Sequence, residues 1–268
     1  MSNGRDLRVR ALSLAVFLLS AANAYPAAIN VDLGTADAFA ILAGSAVTNT
    51  GATLVHGNLG VSPGSSVTGF PPGMLTAGAM HVADAAAMQA QNDLTTAYNF
   101  AAGEVCNSSL TGQDLGGLTL TPGVYCFSSS AQLTGILTLN ALGNPNAVFL
   151  FQIASTLTTA SSSAVVFTNA GQGDSLFWQV GSSATLGTTT AFAGNILALT
   201  SISLNTGANI QCGRALARNG AVTMDTNDVS IDTEGCEVTG TGTVPEPSTA
   251  SLLLLIGMPG LLLLRKLF

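Results

Sequence analysis

The sequence predicts an all-β-dominated chain, a β-solenoid with one long α-helix packed along it, and three observations carry that prediction. The first is an irregular internal repeat. Ala46-Val47-Thr48-Asn49-Thr50, Ile202-Ser203-Leu204-Asn205-Thr206 and Val222-Thr223-Met224-Asp225-Thr226 share one pattern, and Leu118-Thr119-Leu120, Ile136-Leu137-Thr138-Leu139-Asn140 and Ala184-Thr185-Leu186-Gly187-Thr188 follow it. Aligned on the central hydroxyl residue, Thr119 to Thr138 is 19 positions, Thr185 to Ser203 is 18 and Ser203 to Thr223 is 20, about one turn of a solenoid. The second is that nearly everything else reads as short strands separated by Gly, Asn and Pro turns. The third is a single stretch, residues 78–102, with helical period.

Within each repeat the side chains alternate, so the apolar flanks face a core and the Thr or Ser faces outward. Turns stacked about 4.8 Å apart would align those hydroxyls into a ladder along the axis. A β-sandwich also has many short strands, but the repeat period and the single helix favour the solenoid. Val148-Phe149-Leu150-Phe151 and Leu176-Phe177-Trp178 are the bulky apolar runs expected to fill its widest part. The helix is expected between the breaker Pro71-Pro72-Gly73 and Gly103. Met80, Ala83, Ala87, Gln91, Leu94, Tyr98 and Ala101 recur there at spacings of three and four, a mostly apolar stripe rich in alanine. Asp84, Asn92, Asp93 and Asn99 lie opposite.

The two ends read as targeting segments. Arg5, Arg8 and Arg10 precede an apolar run over residues 11–19, and Ala22-Asn23-Ala24 then forms an A-x-A site before Tyr25. This order is that of a secretory signal peptide cleaved by signal peptidase, and the apolar run is short for a membrane span. At the other end, Val244-Pro245-Glu246-Pro247-Ser248 leads into an apolar stretch over residues 249–264, interrupted by Pro259 and followed by Arg265 and Lys266. The terminal basic pair would stay cytoplasmic. This tail resembles the PEP-CTERM sorting signal, with its tripeptide at Pro245, Glu246 and Pro247. The resemblance implies transient anchoring in the membrane, removal of the tail by an exosortase, and a Gram-negative bacterium that makes exopolysaccharide. A plain C-terminal anchor is the other reading, and in both the body faces outside. The expected organisation is a signal peptide at 1–24, a solenoid domain at 25–243 and a sorting tail at 244–268.

Removing the two ends sharpens the charge. Only Arg214 and Arg218 remain in residues 25–248, against thirteen acidic residues, a formal −11. So acidic a body has no electrostatic footprint for nucleic acid or anionic lipid. Regular Val, Ile, Leu and Phe separate it from a disordered Gly/Ser-rich chain. Cys106, Cys126, Cys212 and Cys236 all lie in the body, and four cysteines allow three pairings. Pairing of neighbours, Cys106 with Cys126 and Cys212 with Cys236, is favoured because it closes two short loops in an oxidising compartment. No C-x-x-C spacing accompanies His56 or His81, so no metal site is expected. His56 reads as a turn residue and His81 as one at the helix start. No Ser-His-Asp order, H-E-x-x-H pair or phosphate loop is present, so neither catalysis nor a cofactor is expected. Asp225, Asp228, Asp232, Glu234 and Glu237 form an acidic stretch expected to cap the end of the solenoid.

Longer strings are more specific. Leu33-Gly34-Thr35-Ala36, Phe39-Ala40-Ile41-Leu42-Ala43-Gly44, Gly57-Asn58-Leu59-Gly60-Val61-Ser62-Pro63-Gly64 and Thr68-Gly69-Phe70-Pro71-Pro72-Gly73 occur in order. Asp93-Leu94-Thr95-Thr96-Ala97-Tyr98, Leu115-Gly116-Gly117-Leu118-Thr119-Leu120-Thr121-Pro122-Gly123-Val124-Tyr125, Phe177-Trp178-Gln179-Val180-Gly181 and Gly213-Arg214-Ala215-Leu216-Ala217 follow them. Over roughly residues 31–233 the chain resembles the bacterial and fungal ice-binding-like family. That resemblance implies a right-handed, discontinuous β-solenoid of triangular section, with one flat face adsorbing to an ice crystal surface. The outward candidates for such a face are Thr48, Thr68, Thr119, Thr138, Thr158, Thr185, Ser203 and Thr223. Some members carry a T-A/G-x-T/N motif, which Thr50-Gly51-Ala52-Thr53 and Thr206-Gly207-Ala208-Asn209 fit; the motif candidates are Thr50, Thr53, Thr206 and Asn209. The rival reading is a non-catalytic extracellular matrix or adhesion protein with exopolysaccharide as partner. Scarce aromatics and a nearly charge-free repeat favour ice.

Overall fold

Three walls of parallel strands surround one apolar core in the computed structural model of this protein, which describes residues 31–171 and 175–231. The two ends expected to be targeting segments, together with Cys236, Asp232, Glu234 and Glu237, lie outside the described residues. The first wall is a seven-stranded sheet, in spatial order Ala131–Leu133, Leu157–Thr159, Ala184–Leu186, Ile202–Leu204, Val222–Met224, Ala46–Asn49 and Ser66–Thr68. The other two walls are fused into one fifteen-stranded sheet, because Ala191–Ala198 and Asn209–Ala217 each run around a corner. Their register shifts between Ala193 and Asn195. Gly194 makes the bend at φ +92°, a conformation that a Cβ disfavours. A Cβ on Gly213 would meet the Gly194 carbonyl at 2.0 Å, so the two glycines stack where the corner is tightest.

The order of strands is not the order of the chain. Ala46–Asn49 lies beside Val222–Met224, Leu54–His56 beside Asp228–Ser230, and Phe39–Ala43 beside Asn209–Ala217. The N-terminal turns therefore continue the stack beyond its C-terminal turns, which is the discontinuity the resemblance implies. Asp225 and Asp228 accordingly sit within the stack rather than capping it, because N-terminal strands cover the end they were expected to close. His56 is the last residue of a strand, not a turn residue, and is paired with Asp228 at 3.3 Å.

Five strands of the first wall bury both residues flanking the central position, and buried Val47 and Asn49 flank Thr48, as alternation requires; on the edge strand the outward Ser66 and Thr68 flank a half-buried Val67. The bulky runs fill the core. Tyr125, Phe151 and Trp178 are register partners on successive strands, with ring centroids 5.4 and 4.1 Å apart, and Phe192 follows 5.0 Å from Trp178. Stacked pairs of this kind add about 0.5–1.5 kcal/mol each beyond their burial. The Trp178 indole N–H donates to the Ala193 carbonyl at 3.0 Å and the Tyr125 hydroxyl to the Thr121 carbonyl at 2.6 Å, so both polar groups of this stack are satisfied.

The helix spans Ala85–Gly103. Its start is seven residues later than periodicity predicts, because Met80–Val82 pairs as a strand with Asn58–Val61. Asp84 caps it instead of lying on its polar face, accepting from the Ala87 N–H at 2.9 Å while His81 Nδ1 lies 2.8 Å from the other oxygen. Ala90, Leu94, Ala97, Tyr98 and Ala101 pack on Leu42, Leu150, Phe177, Leu197 and Leu216 of the second wall. Alanines at three of these five positions let the backbone approach the sheet closely. At about 1.5 Å per residue the helix is roughly 28 Å long. Six strand spacings of about 4.8 Å, near 29 Å, separate Asn58–Val61 from Gly123–Phe127. The helix therefore carries the chain from one end of the stack back to the other.

Both arginines of the described body serve this attachment. Arg214 donates to the Asp37 carbonyl at 2.8 Å and to Asn195 Oδ1 at 2.7 Å, and pairs with the Asp37 carboxylate at 2.8 Å. Burial pulls its pKa below the usual guanidinium value, with Asp37 opposing that shift. Arg218 lies 4.7 Å from the centre of the Tyr98 ring, a cation–π contact on the helix. At the far end, Gln152 Nε2 donates to the Ala101 and Glu104 carbonyls, both at 2.8 Å, closing helix-terminal acceptors. The Cys106–Cys126 disulfide ties the same end to the wall. Cys212 is also disulfide-bonded.

Candidate functional site

The second wall is covered by the helix, leaving the first and third walls as open faces. On the first wall the register aligns Gln132, Thr158, Thr185, Ser203, Thr223, Thr48 and Thr68 in one row. Six of the eight outward candidates thus come together. Seven strands at about 4.8 Å give that row a length near 29 Å. The Thr223 hydroxyl donates to Ser203 Oγ at 3.1 Å, so these two neighbours fix each other's rotamers.

Thr119 and Thr138 are not in this row. They pair with each other on the third wall. The third wall uses the same apolar–Thr–apolar pattern, so alignment on the hydroxyl residue alone merged strands of two walls. That wall is also a different surface: Ile136 and Met74 are 53% and 59% exposed there, and it carries the His56–Asp228 pair.

A second row went unread in the sequence. Two positions before each ladder residue stand Ser130, Thr156, Ser183, Ser201, Ala221, Ala46 and Ser66, all small. Thr156 Oγ1 donates to Ser130 Oγ at 2.8 Å, and Ser183 Oγ and Ser201 Oγ accept from the Ser201 and Ala221 N–H groups at 3.3 and 3.2 Å. The signal was a small residue two positions ahead of each central hydroxyl, the period of an outward strand face. Two rows about 6.7 Å apart along the strand, repeated every 4.8 Å or so across it, make a flat lattice of small side chains. Gln132, at one end, is the only long side chain in either row.

The two T-A/G-x-T/N segments form corners between the first and third walls. Thr50 and Thr206 are exposed. Asp225 belongs to the intervening turn, and the Thr206 hydroxyl donates to it at 2.5 Å and that of Thr226 at 3.1 Å. Those bonds, Thr206 first, hold its carboxyl below the ordinary range. Thr53 and Asn209 face other tasks. Thr53 is fully buried, donating to Asn49 Oδ1 at 2.6 Å and accepting from the Asn227 N–H at 3.1 Å. Asn209 Oδ1 accepts from the Asp228 N–H at 2.8 Å. A Cβ on Gly51 would fall 2.0 Å from Thr226 Oγ1, which accounts for a glycine inside the corner.

The sequence model of the family described as Ice-binding-like matches residues 41–230. An ice-binding protein of Nostoc sp. (strain HG1) is 56% identical over 258 residues, covering 95% of this chain and 94% of that one. The crystal structure of an ice binding protein from an Antarctic biological consortium aligns with a TM-score of 0.71 at 51% identity, covering 75% of this chain and 90% of the other. That of an ice-binding protein from the Antarctic ascomycete Antarctomyces psychrotrophicus aligns at 0.70 and 41% identity, with 75% and 98% covered.

Proposed function

Because this chain belongs to the ice-binding-like family, we propose that it is an exported, non-catalytic protein that adsorbs to ice through its first wall. The observation that carries this reading is the flat double row of small hydroxyl and methyl groups on that wall, without a charged residue in either row. Water is the ligand, so charge is a disadvantage: an ionic group keeps a hydration shell that does not match a lattice. A threonine offers a hydroxyl that joins ordered water and a methyl that shapes it. Side chains already fixed by neighbour bonds, on backbone fixed by sheet pairing, lose little further freedom on docking. Water held between the rows then joins the crystal as a layer ordered in advance.

The residues proposed to make the contact are Thr48, Thr68, Thr158, Thr185, Ser203 and Thr223, with Ser130, Thr156, Ser183, Ser201 and Ser66 beside them. Thr50 and Thr206 border the face, whereas Thr53 and Asn209 serve the fold. Residues 1–24 act as the signal peptide, 25–243 as the adsorbing domain and 244–268 as the sorting tail removed by an exosortase. The Cys106–Cys126 disulfide supports delivery to an oxidising space outside the cell. Among the described residues no helix is long and apolar enough to cross a membrane; transient anchoring through the tail is part of the sorting-signal reading. The sorting-tail reading also makes exopolysaccharide a neighbour of the mature protein, in the matrix of a Gram-negative bacterium.

The test is inhibition of ice recrystallisation by residues 25–244, with Thr223→Tyr and Ser203→Tyr as variants. A tyrosine in mid-row lifts the face off a flat crystal without entering the core. Inhibition by the parent at micromolar concentration, lost in both variants while circular dichroism is unchanged, is the expected result. Full activity in both folded variants would reject this wall, and an inactive folded parent would shift the function to matrix adhesion.

A further inference from the structure

Away from the first wall, where the end of the helix meets the second wall, the structure holds a cavity of about 570 Å³. Its rim is exposed and includes Ser109, Thr111 and Ser128, while Phe127 and Gln179 form a buried floor. Gln179 is only 6% exposed, its side-chain amide has no hydrogen-bond partner among the described residues, and neither amide atom is closed off from solvent, so the group opens into the cavity. Its sheet neighbour Gln152, from the same outward row, spends its own amide hydrogens on the helix end. A carboxamide carries two donors and two acceptor lone pairs, and at Gln179 they are offered to whatever fills the cavity. The cavity is far larger than the roughly 30 Å³ share of a single water molecule. It lies within the roughly 300–1,000 Å³ range of small-molecule sites.

The lining selects the ligand. No Lys, Arg, Asp or Glu side chain is among the lining residues, so neither an anion nor a cation finds a partner. The helix C-terminus directs partial negative charge at this end, a further disadvantage for anions. Half of the lining residues bear hydroxyl or amide groups, which disfavours a purely aliphatic guest. Phe127 and the Cys106–Cys126 disulfide supply a small apolar patch beside them. A neutral, hydroxyl-rich ring matches this mixture: adjacent hydroxyls can donate to and accept from one carboxamide, and its C–H face rests on the apolar patch.

We propose that this cavity is a binding site for a neutral sugar residue, recognised by the Gln179 carboxamide. The site is separate from the ice-adsorbing rows and does not depend on them. The experiment is a titration of the full disulfide-bonded domain with glucose and with cellobiose, followed by nuclear magnetic resonance at side-chain amides. The Gln179 signal is assigned by its absence from the Gln179→Leu variant. Saturable movement of that signal, with at least tenfold weaker sugar binding in Gln179→Leu and a smaller loss in Ser128→Ala, is expected. A fixed Gln179 signal up to about 100 mM of both sugars, or equal binding by Gln179→Leu, would overturn the proposal. Preserved circular dichroism and recrystallisation inhibition in Gln179→Leu separate lost binding from lost fold. An anion or a simple alcohol moving Gln179 as effectively as the sugars would overturn the assignment to sugar.

Discussion

Replacing Thr53 by valine separates the two roles that the corner motif combines. Valine preserves shape, so the change removes one hydroxyl from a site that is fully buried. That hydroxyl donates to Asn49 Oδ1 at 2.6 Å and accepts from the Asn227 N–H at 3.1 Å. Asn49 and Asn227 are themselves 5% and 3% exposed, and neither can turn to water without leaving its other bonds. Asn49 Nδ2 is held by the Gly51 and Gly69 carbonyls, and Asn227 Nδ2 by those of Asn205 and Ala208. The substitution therefore strands one donor and one acceptor, each at about 1–3 kcal/mol. A loss of roughly 2–6 kcal/mol follows, which for a domain of this size lowers Tm by about 4–24 °C. Thr50→Val, at the exposed end of the same motif, removes only a bond of 3.5 Å to the Met224 carbonyl and a contact with Asp225, and should move Tm by less than about 2 °C. Thermal unfolding by circular dichroism at neutral pH measures both. Equal stabilities for the two variants would refute the reasoning, as would loss of ice activity in a Thr53→Val protein held well below its Tm.

Two further outcomes follow from the clamps on the helix. Asp93 accepts from the hydroxyl and N–H of Thr35 at 2.6 and 2.8 Å, and these bonds, the hydroxyl first, hold its carboxyl below the ordinary value. A depressed carboxylate stabilises the fold above its unfolded pKa near 3.9, and that contribution fades as pH falls through the lower folded value. Asp93→Asn should therefore be less stable than the parent at pH 7 and lose less between pH 4 and 2; parallel pH profiles would contradict this. Breaking the Cys106–Cys126 bridge, which spans 20 positions, should cost about 3 kcal/mol. Hydrogen exchange should then rise first at residues 99–103, and uniform protection across the helix in the Cys106→Ala, Cys126→Ala double variant would show that the bridge does not secure that end.

What the sequence revealed, and what it hid, divides along local and distant interactions. The alternation around Thr158, Thr185, Ser203 and Thr223 is local, and it correctly placed their flanks in a core. Thr119 and Thr138 obey the same local rule, yet which wall receives a strand depends on corner geometry spread over the whole turn. The helix start illustrates the same limit. Residues 80–82 fit a helical stripe, but the open edge of Asn58–Val61 pairs with them first. Thr53 reads as a surface motif residue because nothing near it in sequence announces Asn227, 174 positions away. The row from Ser130 to Ser66 needs only period two, but Ser130, Thr156, Ser183 and Ser201 lie just before their strands, where serine and threonine read equally well as turn residues.

The seam where Ala46–Asn49 meets Val222–Met224 bears on when the protein becomes active. The ladder consists of five residues from the later turns and two from the earliest, and the seam joins them at Thr223 and Thr48. Neither portion alone offers the full length. Closure between ends so far apart in sequence is slow relative to local pairing, and it requires almost the entire domain to be present. A chain truncated before its last turns lacks the strand that receives Ala46–Asn49. Completion of the surface proposed to face the crystal thus coincides with completion of the fold, and a partly made or partly delivered chain has no continuous ladder to offer to ice.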